Sequence, residues 1–195
     1  MSGDDVTSMQ KQLVDMGYMS KTTGYYGDET KAAMKEFQSR NGLSADGLAG
    51  EKTYEMLYSP EAKESKSKAQ KARTKANINK MIEVAKSKLG CRYVRGAKGP
   101  DKFDCSGFVY WCLKQAGVNQ KYLTSSGWRS VSGYTKVSSI SSLRRGDIIV
   151  FKGHVGIALG DGTMIDASSG NGKVVHRSCT GAWSQRNFIC GWRIF

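Results

Sequence analysis

Five cysteines (Cys91, Cys105, Cys112, Cys179, Cys190) and two histidines (His154, His176) are the residues that could carry nucleophilic chemistry in this chain. Cys105 stands out by its setting. It lies in the run FDCSGFVYWC, directly before Ser106 and Gly107. A thiol is a useful nucleophile only as thiolate, and a helix N-terminus with a nearby imidazole is the usual means of forming one. The spacing of Phe108, Val109, Cys112, Leu113 and Ala116, closed by Gly117, predicts a helix over 105–116 that begins at Cys105 itself. Free backbone N–H groups and the helix dipole would favour an anion there. Small Ser106 and Gly107 would leave room for a substrate. For any single cysteine, a buried inert thiol remains the plainer reading. His154 follows Gly153 and opens a strand-like run, whereas His176 sits beside Arg177, whose charge disfavours an imidazolium; His154 is the better candidate base. No C-x-x-C pair or familiar zinc spacing occurs, so neither a structural metal nor a cofactor is expected. An odd number of cysteines leaves at least one thiol free.

The elements that would hold these residues follow from periodicity. Ile78, Met81, Ile82, Ala85 and Leu89 form one helical stripe, with Asn77 as a possible cap and Gly90 as a stop. After a polar stretch to Arg145 come five β-branched runs separated by Gly, Asp and Asn: 148–151, 154–159, 163–168, 173–177 and 188–195. Helices first and strands afterwards predict an α+β domain built on an antiparallel sheet.

Residues 1–60 are different in kind. Helices are expected over 8–16, 28–41 and 50–57, and Gly27-Asp28-Glu29-Thr30 is echoed by Gly50-Glu51-Lys52-Thr53. Three short helices make a small core, enough for a binding module, and this part holds no Cys or His. Residues 61–77, EAKESKSKAQKARTKAN, lack large apolar side chains and read as a charged, solvated linker, helical in part. Charge divides the same way: residues 1–60 carry 6 Lys+Arg against 9 Asp+Glu, and residues 78–195 carry 18 against 6. A basic C-terminal part suits a polyanionic partner, although solubility alone would also account for it. No stretch approaches the length of a membrane span. No secretory signal is visible, and Met1-Ser2-Gly3 could be an introduced leader.

Two resemblances follow from these residues. Gln10, Leu13, Gly17-Tyr18, Tyr26 to Thr30, Phe37-Gln38, Gly42-Leu43, Asp46-Gly47, Gly50 and Thr53 resemble the three-helix peptidoglycan-binding domain. Residues 78–195 resemble the NlpC-type cysteine peptidases, the cell-wall branch of the papain-like fold. The matching pieces are Tyr93, Phe103-Asp104-Cys105-Ser106-Gly107-Phe108, Arg145-Gly146-Asp147 and Gly153-His154-Val155-Gly156-Ile157 leading to Gly160-Asp161-Gly162. Cys preceding His along the chain is also the papain-like order. The second resemblance implies an endopeptidase cutting peptidoglycan stem peptides, typically between γ-D-glutamate and the following diamino acid. Cys105 would be the nucleophile and His154 the base. Tyr93, Asp104 and Ser106 would line the acyl-side pocket, where Asp104 could hold the amine of an N-terminal L-alanine.

The residue that orients His154 is expected to be Asp166, where the resembled family usually carries His, Asn or Gln. If Gly160–Gly162 is a three-residue loop, Asp166 faces Gly156 and lies diagonal to His154 on one face of the sheet. A two-residue Asp-Gly turn would send it to the other face. The family pattern favours the first register. A carboxylate partner would raise the pKa of His154 relative to an amide.

These readings predict a monomeric peptidoglycan hydrolase acting outside the cell at the bacterial wall, as an autolysin or an endolysin. Alternatives are an amidase or acyltransferase of the same fold, or a non-catalytic wall-binding protein. Nucleic-acid binding finds no helix-turn-helix, zinc or aromatic-sheet motif to support it.

Overall fold

A computed structural model describes residues 3–195; Met1 and Ser2, the first two positions of the suspected leader, lie outside the described residues. The chain divides into two compact units, the first reaching Arg73 and the second running from Thr74 to Phe195.

The first unit contains helices α1 (Gly3–Asp15), α2 (Asp28–Arg40) and α3 (Glu51–Leu57). Met9, Leu13, Met34, Phe37 and Leu57 are fully buried between them. The sequence echo has a structural basis in two buried glutamines. Gln10 Nε2 donates to Thr30 Oγ1 at 2.8 Å, and its Oε1 accepts from the N–H groups of Thr23 and Gly24. Gln38 Nε2 donates to Thr53 Oγ1 at 3.2 Å and its Oε1 accepts from Gly47 N–H. Each amide thus ties a loop to the first turn of the helix that follows it. A buried amide is tolerated because it is paired.

Helix α4 (Lys66–Ser87) begins inside the stretch read as linker. Residues 61–65 lie against the first unit: Tyr18 Oη donates to Lys63 O at 2.6 Å and Ser65 N–H to Met16 O at 2.9 Å. Charged composition here reflects solvated helix faces, since Lys and Glu are good helix formers.

In the second unit, the C-terminal part of α4 buries Met81, Ile82 and Ala85. Two short strands, β1 (Arg92–Tyr93) and β2 (Lys102–Phe103), precede helix α5 (Cys105–Gln115). Then come β3 (Thr135–Val137), β4 (Ile148–Phe151), β5 (His154–Ala158), β6 (Thr163–Ser168) and β7 (Lys173–Ser178), followed by helix α6 (Ala182–Asn187) and strand β8 (Phe188–Arg193). The sheet order is β2-β1-β7-β6-β5-β4-β8-β3, antiparallel except for the β1–β2 pair. This is the α+β class expected. The short strands β1, β2 and β3 and helix α6 carry too little periodicity to be read from sequence.

Helix α5 packs on β5 and β6 through Phe108, Val109, Cys112 and Leu113, all fully buried, opposite Val155, Ile157, Ile165 and Ala167. Burying each large apolar side chain contributes about 1.5–3 kcal/mol, so the helix that carries Cys105 is firmly held. Among the described residues, no helix is long and apolar enough to cross a membrane.

Candidate active site

Asp104 caps α5. Its Oδ1 accepts from Gly107 N–H at 2.6 Å and Ser106 Oγ at 2.9 Å, and its Oδ2 accepts from Gly96 N–H at 2.8 Å. Cys105 is therefore the first residue of the helix. Its own N–H donates to no acceptor among the described residues, as expected of an N-terminal turn. Gly107 does not leave space for a substrate. A Cβ on Gly107 would stand 2.1 Å from the Ala97 carbonyl oxygen, so the loop before β2 already fills that space. Ser106 Oγ meets Tyr122 Oη at 3.1 Å, and the Tyr122 ring carries Lys98 Nζ 4.0 Å from its centroid.

His154 opens β5. Its Nε2–H donates to Asp166 Oδ2 at 2.7 Å. The Cys105 thiol acts on the same imidazole, and with Nε2 engaged by Asp166 the nitrogen left to serve it is Nδ1. Burial alone would lower the pKa of His154; the hydrogen bonds to Asp166 and Cys105, with their charges, outweigh it and raise the pKa to about 9.

The β5–β6 register decides which side chain reaches His154. Ile157 pairs with Ile165 and Ala158 with Met164, and Leu159 N–H donates to Thr163 O at 2.9 Å. The loop is the three-residue one, and Asp166 stands over Gly156, where an added Cβ would lie 3.2 Å from its own. Asp166 is fully buried. Burial pushes its carboxyl upward, but hydrogen bonds from His154 and Arg177 overcome this and hold it below its usual range.

Arg177 was not foreseen. From β7 it forks Asp166, with Nε to Oδ1 and Nη2 to Oδ2, each at 2.8 Å. The pairing of Met164 with Arg177 puts Arg177 diagonal to Asp166. Only the β6–β7 register reveals this, because adjacency in sequence suggested an influence on His176. His176 instead bonds Thr163 Oγ1 at 2.8 Å. Trp183, on α6, covers the group: its ring lies 5.9 Å from that of His154, and Arg177 Cζ lies 5.3 Å from its centroid.

Tyr93 lies near the nucleophile. Its phenol pKa is raised first by burial and then by the charges of Cys105 and Asp104. The other thiols differ in setting. None of the five cysteines is paired, and burial drives the pKa of Cys112, Cys179 and Cys190 upward, which keeps them protonated and inert. Among the described residues, no group of three or more His, Cys, Asp or Glu side chains could hold a metal ion.

Both parts of the chain match known families. Residues 2–57 match the family described as "Putative peptidoglycan binding domain", and residues 90–193 match the NlpC/P60 family. The chain is 35% identical over 115 residues to the "Probable endopeptidase p60" of Listeria grayi, covering 56% of this chain and 22% of that protein. It is 36% identical over 102 residues to a "Probable endopeptidase" of Corynebacterium glutamicum, covering 51% of this chain and 46% of the relative. The chain thus spans less than half the length of these relatives. The P60 domain of a Mycobacterium avium subspecies paratuberculosis antigen superposes with a TM-score of 0.51 at 25% identity, covering 62% of this chain and 96% of that one. With a family match over more than half its length, the chain belongs to the NlpC/P60 family.

Proposed function

We propose that this protein is a cysteine endopeptidase of the bacterial cell wall, cleaving peptidoglycan stem peptides between γ-D-glutamate and the following diamino acid. The observation that carries the reading is the line Cys105–His154–Asp166, with the thiol at a helix N-terminus and the carboxylate buried. Cys105 passes its proton to His154 Nδ1 and attacks the carbonyl carbon. The oxyanion forms beside the free N–H of Cys105, where the helix dipole favours negative charge. His154 then protonates the departing amine, and water, activated by the same imidazole, releases the acyl group. Asp166 keeps Nε2 protonated and so holds Nδ1 toward the sulfur.

On the acyl side, Tyr93 and Ser106 flank the nucleophile. Asp104 spends three hydrogen-bond acceptances on its own chain, yet Oδ2 takes only Gly96 N–H and retains a lone pair for a substrate ammonium. The first unit anchors the enzyme to the wall. Its support is the match of residues 2–57 and a mostly apolar groove of about 470 Å³ beside exposed Tyr25 and Leu48. The protein therefore acts outside the cell, at the wall.

Digestion of purified sacculi tests the reading. Mass spectrometry should show stem peptides cut after γ-D-glutamate, with new amino groups and no new reducing ends, and Cys105→Ala should be inert. Cleavage of glycan strands, or wild-type turnover by Cys105→Ala, would overturn it.

A further inference from the structure

Two cavities of the second unit lie at opposite ends of β4. One, of about 380 Å³, opens against His154 and belongs to the active site. The other, of about 210 Å³, is lined in part by Ile78 on α4, by Arg144, Arg145 and Asp147 before β4, and by Arg193 and Phe195 at and beyond the end of β8. His154 pairs with Phe151, the last residue of β4, whereas Ile148, its first, pairs with Ile157. Roughly 10 Å of strand therefore separates the smaller cavity from the reacting groups.

Its rim is cationic and largely unpaired. Arg193 forks Asp147, with Nε to Oδ1 at 3.1 Å and Nη2 to Oδ2 at 2.8 Å, and Asp147 Oδ2 also accepts the Arg144 N–H at 2.8 Å. Asp147 is buried, so this carboxylate is spent inside the protein. Arg193 keeps its other terminal nitrogen for an outside acceptor. Arg145 reaches only Asn79 Oδ1, at 3.4 Å, and the Arg144 guanidinium has no acceptor among the described residues. No carboxylate among them, that of Phe195 included, lies within ion-pairing distance of Arg144 or Arg145.

A single exposed arginine needs no partner to explain it. Three guanidinium groups around one cavity, over an apolar floor of Ile78 and Phe195, have a shape that suits a ligand. The planar fork of arginine matches the oxygens of a phosphate, and the floor suits the CH₂ groups on either side of a phosphodiester. The volume is below that of pockets which enclose drug-sized molecules, so the cavity admits one link of a chain and not a whole sugar-peptide unit.

We propose that this cavity holds a phosphodiester of a polyol-phosphate polymer in the wall, which docks the second unit on the wall at a point apart from the reaction. The choice of a wall polymer rests on the wall reading above; the preference for phosphate rests on the arginines. Charge complementarity extends beyond the cavity, since residues 78–195 carry 18 Lys and Arg against 6 Asp and Glu.

The test uses the full chain carrying Cys105→Ala, which leaves the wall undigested, titrated with poly(glycerol phosphate). Adding Arg144→Gln and Arg145→Gln together should weaken binding roughly tenfold or more, the worth of the charge-assisted hydrogen bonds removed. Arg144→Lys with Arg145→Lys should restore only part of it, because a point charge does not fork. Lys86→Gln with Lys114→Gln, two exposed lysines of the same unit outside the cavity, should change it little. Untreated sacculi should retain the chain with both arginines better than the glutamine pair, and sacculi stripped of phosphodiester polymer by hydrofluoric acid should retain the two equally. In the chain with Cys105 intact, the glutamine pair should leave kcat/KM on a soluble stem peptide unchanged.

Binding untouched by the glutamine pair would overturn the proposal. An equal loss in the lysine control, or equal affinity for poly-L-glutamate, would overturn it by showing diffuse charge. Double-stranded DNA or phosphatidylglycerol vesicles bound as tightly, with the same loss in the glutamine pair, would overturn the assignment to a wall polymer. If the intact chain cleaves no stem peptide, the endopeptidase reading fails, and these titrations still decide the cavity.

Discussion

Asp166 and Arg177 form a two-pronged ion pair across β6 and β7, and the oxygen that receives Nη2 also receives His154 Nε2–H. The orienting carboxylate is thus itself oriented from a third strand. The fork keeps Asp166 ionised and stops it from turning away from the imidazole. It also draws some of the negative charge that would otherwise act on His154.

Removing the carboxylate should move the pH profile. The imidazolium of His154 is the form that pairs with a Cys105 thiolate, and its pKa of about 9 sets the alkaline limb. Asp166→Asn should retain partial activity, with that limb displaced toward neutral pH. Asp166→Ala should lose more, because Nε2 then has no acceptor. A profile of kcat/KM against pH decides; an unmoved alkaline limb in Asp166→Asn would mean that another group holds the imidazole.

Trp183→Ala should move the same limb the other way. Burial lowers the pKa of His154, and Trp183 provides part of that burial. Its loss admits water and favours the imidazolium, so the limb should rise. Opposite displacements in Trp183→Ala and Asp166→Asn would separate hydration from charge pairing at one residue.

Stability should follow the same linkage. The pKa of His154 is raised from 6.5, so its contribution is complete below that pH and is lost as pH climbs through about 9. The carboxyl of Asp166 is lowered from 3.8, so its contribution is present above that value and is lost in more acid solution. Thermal midpoints should therefore be highest between these two ordinary values and decline toward pH 9. The alkaline decline should flatten in Asp166→Asn, which will also be less stable overall, since Arg177 loses the carboxylate it forks.

Gly107→Ala should disable the site without touching a reacting atom. The new methyl would overlap the Ala97 carbonyl oxygen, and backbone cannot give way as a flexible side chain can. Either the loop before β2 or the first turn of α5 must shift, at a cost of about 1–3 kcal/mol or more. Circular dichroism melts with turnover of a soluble stem peptide should show both losses; normal activity would mean that the loop is freer than its contacts imply.

Gln38→Leu should uncouple the two units' roles. It strands the Gly47 N–H and the Thr53 hydroxyl in a buried setting, each worth about 1–3 kcal/mol. Sacculus pull-down should fall while cleavage of soluble stem peptides by the same protein stays normal. Residues 78–195 alone should behave likewise, and equal pull-down of that fragment and the full chain would count against wall anchoring by the first unit.

Sequence alone determined what depends on short-range order. Apolar spacing located α5 and the five long strands, but the Asp104 cap that fixes the start of α5 emerged only in the fold. The alternation of side chains along β5 and β6, given a three-residue loop, put Asp166 on the His154 face. The Gly-x-x-Thr echo in the first unit was visible as a repeat, but the buried glutamines that answer it were not. Tertiary structure decided everything that needs two elements to cross. Gly107 read as space for a substrate until the Ala97 carbonyl was found there. Arg177 read as a neighbour of His176 until β7 paired with β6 and turned it onto Asp166. Trp183 carried no signal in a six-residue helix, yet it covers His154 and Arg177 together. Periodicity and caps are set by residues a few positions apart. The groups that line the cavity beside His154 come from the β4–β5 turn, β5, the end of β6 and the turn after it, β7 and α6, and only the register of the sheet brings such groups into one space.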